Sequence, residues 1–147
     1  MMKLVIPREK HEFENRVSIT PDCVSSFIKM GFSVFVEKEA GLGASFSDDM
    51  YIKAGAKISN NSNELYKSSN VVVKIQRSFK DSKINEFSLM EEGSNFVGLI
   101  YQNRFKSDFT LLKKNKLNVF AMELMPRISR AQSMDVLSSC LLYTSDA

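Results

Sequence analysis

Five short runs of β-branched and aromatic residues, nearly unbroken in apolar character, alternate along the chain with stretches that carry helix-start signals. The runs are Lys3–Pro7, Ser33–Glu37, Val71–Ile75, Phe96–Tyr101 and Leu117–Ala121. A strand with one wet face alternates apolar and polar residues, whereas an unbroken run such as Val71-Val72-Val73 fits a strand covered on both faces of a parallel sheet. Regular strand–helix alternation therefore predicts a three-layer, doubly wound α/β domain with a mostly parallel sheet.

The helices between the runs have readable ends. Thr20-Pro21-Asp22 places an N-cap hydroxyl, a proline at the first helical position and an acid in the first turn. That helix carries Val24, Phe27 and Ile28 on one face and stops near Gly31. Ser47-Asp48-Asp49 starts a second helix, ending before Gly55. Ile84–Leu89 forms a third, ending before Gly93, and Ser107–Lys114 a fourth that leads into the Leu117 strand. The loops are short, and no repeat, low-complexity tract or linker interrupts the pattern.

Composition narrows the function classes. Twenty Lys and Arg stand against 17 Asp and Glu, a formal net charge of +3. So small a surplus, spread along the chain, is no electrostatic footprint for nucleic acid. No apolar run approaches the ~18 residues of a bilayer-crossing helix, and the apolar stretch at the start is too short for a secretory signal. One histidine, His11, and two cysteines, Cys23 and Cys140, argue against multi-histidine zinc sites and a disulfide framework, and for a reducing compartment.

Few segments carry chemistry. Gly41-Leu42-Gly43 has the start of a dinucleotide loop, but position 46 is Phe46 where the fingerprint needs a third glycine, so a structural turn is expected. Glu12, Glu14 and Arg16 follow the first strand, at the strand end where α/β sheets place ligands. Arg16 there is either a carboxylate or phosphate holder or part of a solvated turn. Lys74 interrupts an apolar strand and must snorkel to an edge or find a partner, because an unpaired buried charge is costly. His11 has no companion nucleophile and is expected at the surface, and neither cysteine has the spacing of a metal ligand or redox pair. The richest segment runs from Met125-Pro126-Arg127 through Gln132 and Asp135 to Ser138-Ser139. It packs a cation and several hydrogen-bonding side chains suited to an amide and a ribose into a few positions, although an ordinary capped helix start also accounts for it.

These segments resemble the amino-terminal part of domain I of the proton-translocating NAD(P) transhydrogenases, over about Met2 to Ser139. The likeness rests on Ile6-Pro7-Arg8-Glu9, Glu14-Asn15-Arg16-Val17-Ser18-Ile19-Thr20-Pro21, Gly41-Leu42-Gly43-Ala44-Ser45-Phe46-Ser47-Asp48, Val72-Val73-Lys74-Ile75-Gln76-Arg77, and Ala121-Met122-Glu123-Leu124-Met125-Pro126 with Arg127–Ser139. The first three segments are shared with alanine dehydrogenases. Arg127–Ser139 is specific to transhydrogenases. The resemblance implies a Rossmann- or flavodoxin-like fold, truncated before the NAD-binding Rossmann lobe. It also implies that Arg127, Gln132, Asp135 and Ser138 border the nicotinamide of NAD(H), with no protein acid or base required.

By the same resemblance, NADP(H) is bound by a partner domain, a membrane domain carries proton translocation, and domain I is a homodimer. The parent protein is then cytoplasmic and peripheral to the inner membrane. Arg16 and Lys74 match the carboxylate-binding pair of alanine dehydrogenases, but Tyr101-Gln102-Asn103 stands where those enzymes carry a substrate histidine. Residues 1–139 are expected to be the native domain. Cys140-Leu141-Leu142-Tyr143-Thr144-Ser145-Asp146-Ala147 resembles the in-frame translation of a transposase adapter, a non-native tail. Three functions follow as alternatives: a transhydrogenase fragment, itself inactive; an alanine-type amino-acid dehydrogenase; or a non-enzymatic α/β binding module.

Overall fold

Alternate residues of the first strand, β1 (Met2–Ile6), enter two different cores. Leu4 and Ile6 pack with Val34, Val36, Val24 and Tyr51, while Val5 packs with Val72, Leu65, Phe87, Phe96 and Leu112. A strand with both faces buried needs a layer of helices on each side, which is why its sequence shows no polar alternation. The computed structural model describes residues 1–78, 85–101, 108–126 and 128–134. It contains a six-stranded sheet, all parallel, in the order β3-β2-β1-β4-β5-β6.

The remaining strands are β2 (Phe32–Glu37), β3 (Lys57–Ser59), β4 (Val71–Gln76), β5 (Asn95–Leu99) and β6 (Asn118–Ala121). Helices α1 (Pro21–Lys29) and α2 (Asp48–Lys53) supply Val24 and Tyr51 to one core. On the other face, α3 (Ser62–Lys67), α4 (Glu86–Leu89) and α5 (Asp108–Lys114) supply Leu65, Tyr66, Phe87 and Leu112. This is the three-layer, doubly wound arrangement expected. Strand order reverses between β1 and β4, and the crevice beyond the carboxyl ends of the strands at such a switch point is where open α/β sheets bind ligands.

Local differences have physical causes. Strand β3 and helix α3 leave no trace in the apolar pattern, because Lys57-Ile58-Ser59 holds one apolar residue and α3 is only 6 residues long. The fifth strand stops at Leu99, not Tyr101. The carboxylate of Glu123 accepts the Ile100 amide at 3.1 Å and the Tyr101 amide at 2.7 Å, and Tyr101 turns to φ 51°. Thr20 and Ser47 precede helices, yet neither side chain caps a backbone amide. The caps come instead from Asn61, accepting from the Glu64 amide, and Asn85, accepting from the Phe87 amide. The helical period assigns Ile28 to the buried face of α1, but it lies at that face's margin and is 38% exposed.

Asparagines tie the amino ends of the strands together. Asn70 Oδ1 accepts the Lys3 amide, Asn95 Nδ2 donates to the Asn70 carbonyl, and Asn118 Nδ2 donates to Asn95 Oδ1. The ladder joins four strands at the end opposite the cleft described next and gives several of their backbone groups side-chain partners.

Candidate functional site

The loop after β1, residues 8–16, and the segment after β2 face each other across a cleft of about 720 Å³. Its walls include Arg8, Lys10, Glu12, Arg16, Glu37 and Glu39. Most of these charges already have partners. Arg8 Nη1 lies 3.4 Å from Glu39 Oε2, and the Arg8 amide donates to Glu37 Oε2. Arg16 grips Glu14 with two bonds, Nε to Oε1 at 2.8 Å and Nη2 to Oε2 at 2.7 Å. That fork, first by its hydrogen bonds, holds the Glu14 carboxyl below its ordinary range.

Three contacts fasten the loop to the carboxyl end of β4. Glu9 Oε1 accepts the Ile75 amide at 2.7 Å, Gln76 Nε2 donates to Glu14 Oε2 at 3.2 Å, and His11 Nε2 lies 2.7 Å from the Arg77 carbonyl oxygen. His11 is therefore half-buried and engaged with backbone, not the free surface histidine expected; a carbonyl at the strand end gives it a partner.

Beneath the loop lies a buried charged cluster. Lys74 does not snorkel: its side chain is 1% exposed, and Nζ donates to Glu86 Oε2 and to Ser78 Oγ, each at 3.0 Å. Glu86 is engaged at both oxygens, since its carboxylate also accepts the Ser78 amide and the Ser78 hydroxyl. Burial first, and then the charges of Glu86, Glu37 and Glu9, push the Tyr66 hydroxyl well above its ordinary range. Arg77 covers the Phe87 ring at 5.4 Å from its centroid.

Glu9 is the exception. Its Oε2 lies 4.0 Å from Lys74 Nζ and has no hydrogen-bond partner among the described residues. Burial pushes the Glu9 carboxyl up to about 7, against the pull of Lys74 and the Ile75 amide and with the push of Glu86 and Glu14. Sequence reasoning singles out neither Glu9 nor Glu86. The available signal is the lysine itself, since a cation in an apolar strand demands a carboxylate nearby.

Gly41-Leu42-Gly43 forms a 3-10 turn over Leu42–Ala44, packed too closely to cradle a phosphate. A Cβ on Gly41 would lie 2.7 Å from the Tyr51 ring, and one on Gly43 would lie 2.9 Å from the Asn15 carbonyl oxygen. Gly43 lets this turn touch the loop after β1, and Gly41 lets it pack against Tyr51 and Phe46. Of the four residues expected around a nicotinamide, Arg127, Asp135 and Ser138 lie outside the described residues. Gln132 sits on the 3-10 segment Ser129–Met134 that follows β6, three strands from β1 in the sheet, and does not line the cleft. Gln132 is exposed, and its side chain makes no hydrogen bond among the described residues.

Residues 5–141 match the family model described as alanine dehydrogenase/PNT, N-terminal domain. The chain belongs to that family. It is 41% identical over 139 residues to an NAD(P) transhydrogenase alpha-subunit protein of Rhodospirillum rubrum, a match covering 94% of this chain and 36% of the relative. The transhydrogenase structure from Sinorhizobium meliloti superposes with a TM-score of 0.83 at 35% identity, over 93% of this chain and 40% of that one. An L-alanine dehydrogenase structure gives a TM-score of 0.74 at 27% identity, over 83% of this chain and 32% of that one. The chain thus spans about a third of the length of the Rhodospirillum rubrum relative. Among the described residues no helix is long and apolar enough to cross a membrane.

Proposed function

We propose that this chain is the amino-terminal part of a transhydrogenase alpha subunit, whose complete protein transfers hydride between NAD(H) and NADP(H), coupled to proton translocation. The observation that carries the choice over an alanine-type dehydrogenase is the state of the two cations. Lys74 is sealed in an ion pair with Glu86, and Arg16 is forked onto Glu14. A substrate carboxylate would have to displace two carboxylates already in place, one of them 3% exposed. The third member of the dehydrogenase set is missing as well, with Tyr101-Gln102-Asn103 where the histidine would stand. The fuller likeness to the transhydrogenase structure supports the same reading.

In this reading Gln132, with Arg127, Asp135 and Ser138, borders the nicotinamide and fixes its orientation. The nicotinamide ring supplies the hydride chemistry, so the protein needs no acid or base at the reacting carbon. What the loop contributes is geometry, holding a ring within reach of its partner at roughly 3–3.5 Å. The phosphates are held elsewhere, because the Gly41–Gly43 turn is filled by its own packing. NADP(H) and the membrane path belong to partner domains, with domain I as a homodimer, attached peripherally at the inner membrane. Residues 140–147 are proposed to be an adapter-derived tail on the native domain 1–139.

The test is the complete parent protein with its NADP(H)-binding partner, assayed for reduction of an NADP⁺ analogue by NADH and for alanine-dependent reduction of NAD⁺. Analogue reduction without alanine oxidation is expected. Alanine oxidation without transfer between nucleotides would overturn the reading.

A further inference from the structure

The buried carboxyl of Glu9 is the one polar group in the cleft wall whose surroundings do not satisfy it among the described residues. It also belongs to the loop that forms that wall. We propose that loop 8–16 is a pH-sensitive latch: a proton resident on Glu9 holds the loop closed against the end of β4, and its loss to solvent releases the loop and opens the cleft. The inference stands apart from the nucleotide reading and requires no ligand.

The geometry shows why the two states differ. Closed, the loop is fastened at Glu9 to the Ile75 amide, at Glu14 to Gln76 and at His11 to the Arg77 carbonyl. Each contact joins the loop to residues 75–77, so the three share one opening motion. The loop also carries strain at its tip, where Phe13 is held at φ 65° with its ring 90% exposed. A strained, solvent-facing tip persists only while its anchors hold.

The charges around Glu9 decide which protonation state the closed form accepts. Lys74 of β4 faces it at 4.0 Å but is bonded at 3.0 Å to Glu86 of α4. Glu14 flanks it on its own loop and Tyr66 approaches from α3; beyond these, His11 faces Glu14, Glu37 of β2 faces Tyr66, and Arg77 stands beside Glu86. Of the two buried carboxyls that share Lys74, Glu86 holds it at 3.0 Å while Glu9 stands at 4.0 Å. A proton on Glu9 spares the closed loop a buried anion with one oxygen unbonded. An ionised Glu9 would be a second buried anion with one oxygen unbonded, a state relieved by carrying the residue into water.

The size of the effect follows from linkage. Glu9 titrates at about 7 when closed, against an ordinary value of 4.5 when hydrated. The closed-to-open ratio should therefore fall about 70-fold between pH 5 and pH 8 and level off above about pH 7.

The Ile75 amide reads the latch directly, because its acceptor is Glu9. Hydrogen exchange of this amide is followed by NMR on the 147-residue chain from pH 5 to pH 8, each rate corrected for intrinsic exchange. Protection at Ile75 is expected to fall by tens-fold while that of Val72, deeper in the same strand, stays constant. In Glu9→Gln, which mimics the neutral acid, Ile75 protection should not change with pH. If that variant does not fold, Glu86→Gln decides. Removing the neighbouring anion lets Lys74 turn to Glu9, so the levelling-off point must move to lower pH. Protection at Ile75 that is flat in the unmodified chain, that falls equally at Val72, that keeps its pH dependence in Glu9→Gln, or whose levelling-off point stays in place in Glu86→Gln overturns the proposal.

Discussion

Lys74 Nζ meets Glu86 Oε2 at 3.0 Å with neither side chain more than 3% exposed. The pair joins β4 to α4 and, through the Glu86 carboxylate, orders the Ser78 amide and hydroxyl. Such a pair gains little over well-packed apolar residues, because desolvating two ions offsets their attraction. Breaking it is different. Glu86→Ala deprives buried Lys74 of its partner at 3.0 Å, leaving only Glu9 at 4.0 Å, and frees the Ser78 amide, so a loss of about 3–5 kcal/mol is expected. Urea unfolding measures it, and the double variant Lys74→Met/Glu86→Leu should recover most of the loss. Equal losses in both variants would show that the pair's charge was never the issue.

Stability should also depend on pH in an unusual direction. Glu9 is raised from 4.5 to about 7 in the folded chain, so between those values the native state holds a proton that the unfolded chain has released. Stability is then greatest toward the lower value and falls as pH rises, by at most about 3 kcal/mol. Glu14 acts oppositely, since its lowered carboxyl contributes stability that disappears in acid. The urea midpoint is therefore expected to be higher at pH 5 than at pH 8, with the difference abolished in Glu9→Gln. A midpoint that rises between pH 5 and pH 8 would contradict the assignment of the proton to Glu9.

The sheet's tolerance at the cluster is set by one glycine. A Cβ on Gly98 would lie 2.7 Å from the Lys74 carbonyl oxygen and 3.3 Å from the Phe96 ring. The neighbour is backbone of the adjacent strand, in the stretch where the β4–β5 register shifts between Val73 and Gln76, so it cannot rotate away. Gly98→Ala should cost about 1–3 kcal/mol, as other overpacked sites do. Phe13→Ala, at a ring that is 90% exposed, should stay within about 0.5 kcal/mol. Unfolding midpoints of the two variants check both, and an unchanged Gly98→Ala midpoint would mean that the strands part more easily than this contact implies.

What is legible in the sequence follows from how far each signal reaches along the chain. Doubly buried strands announce themselves, because Val71-Val72-Val73 needs no partner to look apolar. A strand such as Lys57-Ile58-Ser59 exists only through its pairing with β2, at Phe35, Val36 and Glu37, and carries no local signal. Helix caps mislead for a related reason. Propensity assigns the role to Thr20 and Ser47, while the asparagines that take it, Asn61 and Asn85, precede helices too short to show a period. In the cleft, Arg16 and Lys74 are visible as cations that need partners. Glu9 and Glu86 are not, since Glu9 lies 66 residues from the amide it accepts. Family likeness supplies the residues proposed to border the nicotinamide, which no spacing argument reaches.

Gln132 carries the last prediction, made for the complete parent protein. Replacing it with Ala should slow hydride transfer far more than it weakens NADH binding. Its exposed amide lies on the segment proposed to face the nicotinamide, whereas most dinucleotide affinity should come from adenine and pyrophosphate contacts elsewhere. A lost positioning bond of ~1–1.5 kcal/mol slows the step about tenfold, and misplacing the ring by about 1 Å costs on the order of 10²-fold. Lys113→Ala, on the exposed side of α5, should leave both quantities unchanged. Single-turnover transfer in the reconstituted complex, with the NADH dissociation constant measured separately, distinguishes the roles. Equal losses in binding and transfer would make Gln132 a contributor to uniform binding. If neither moved, the segment would be a structural turn after β6, and the proposed nicotinamide site would have to lie elsewhere.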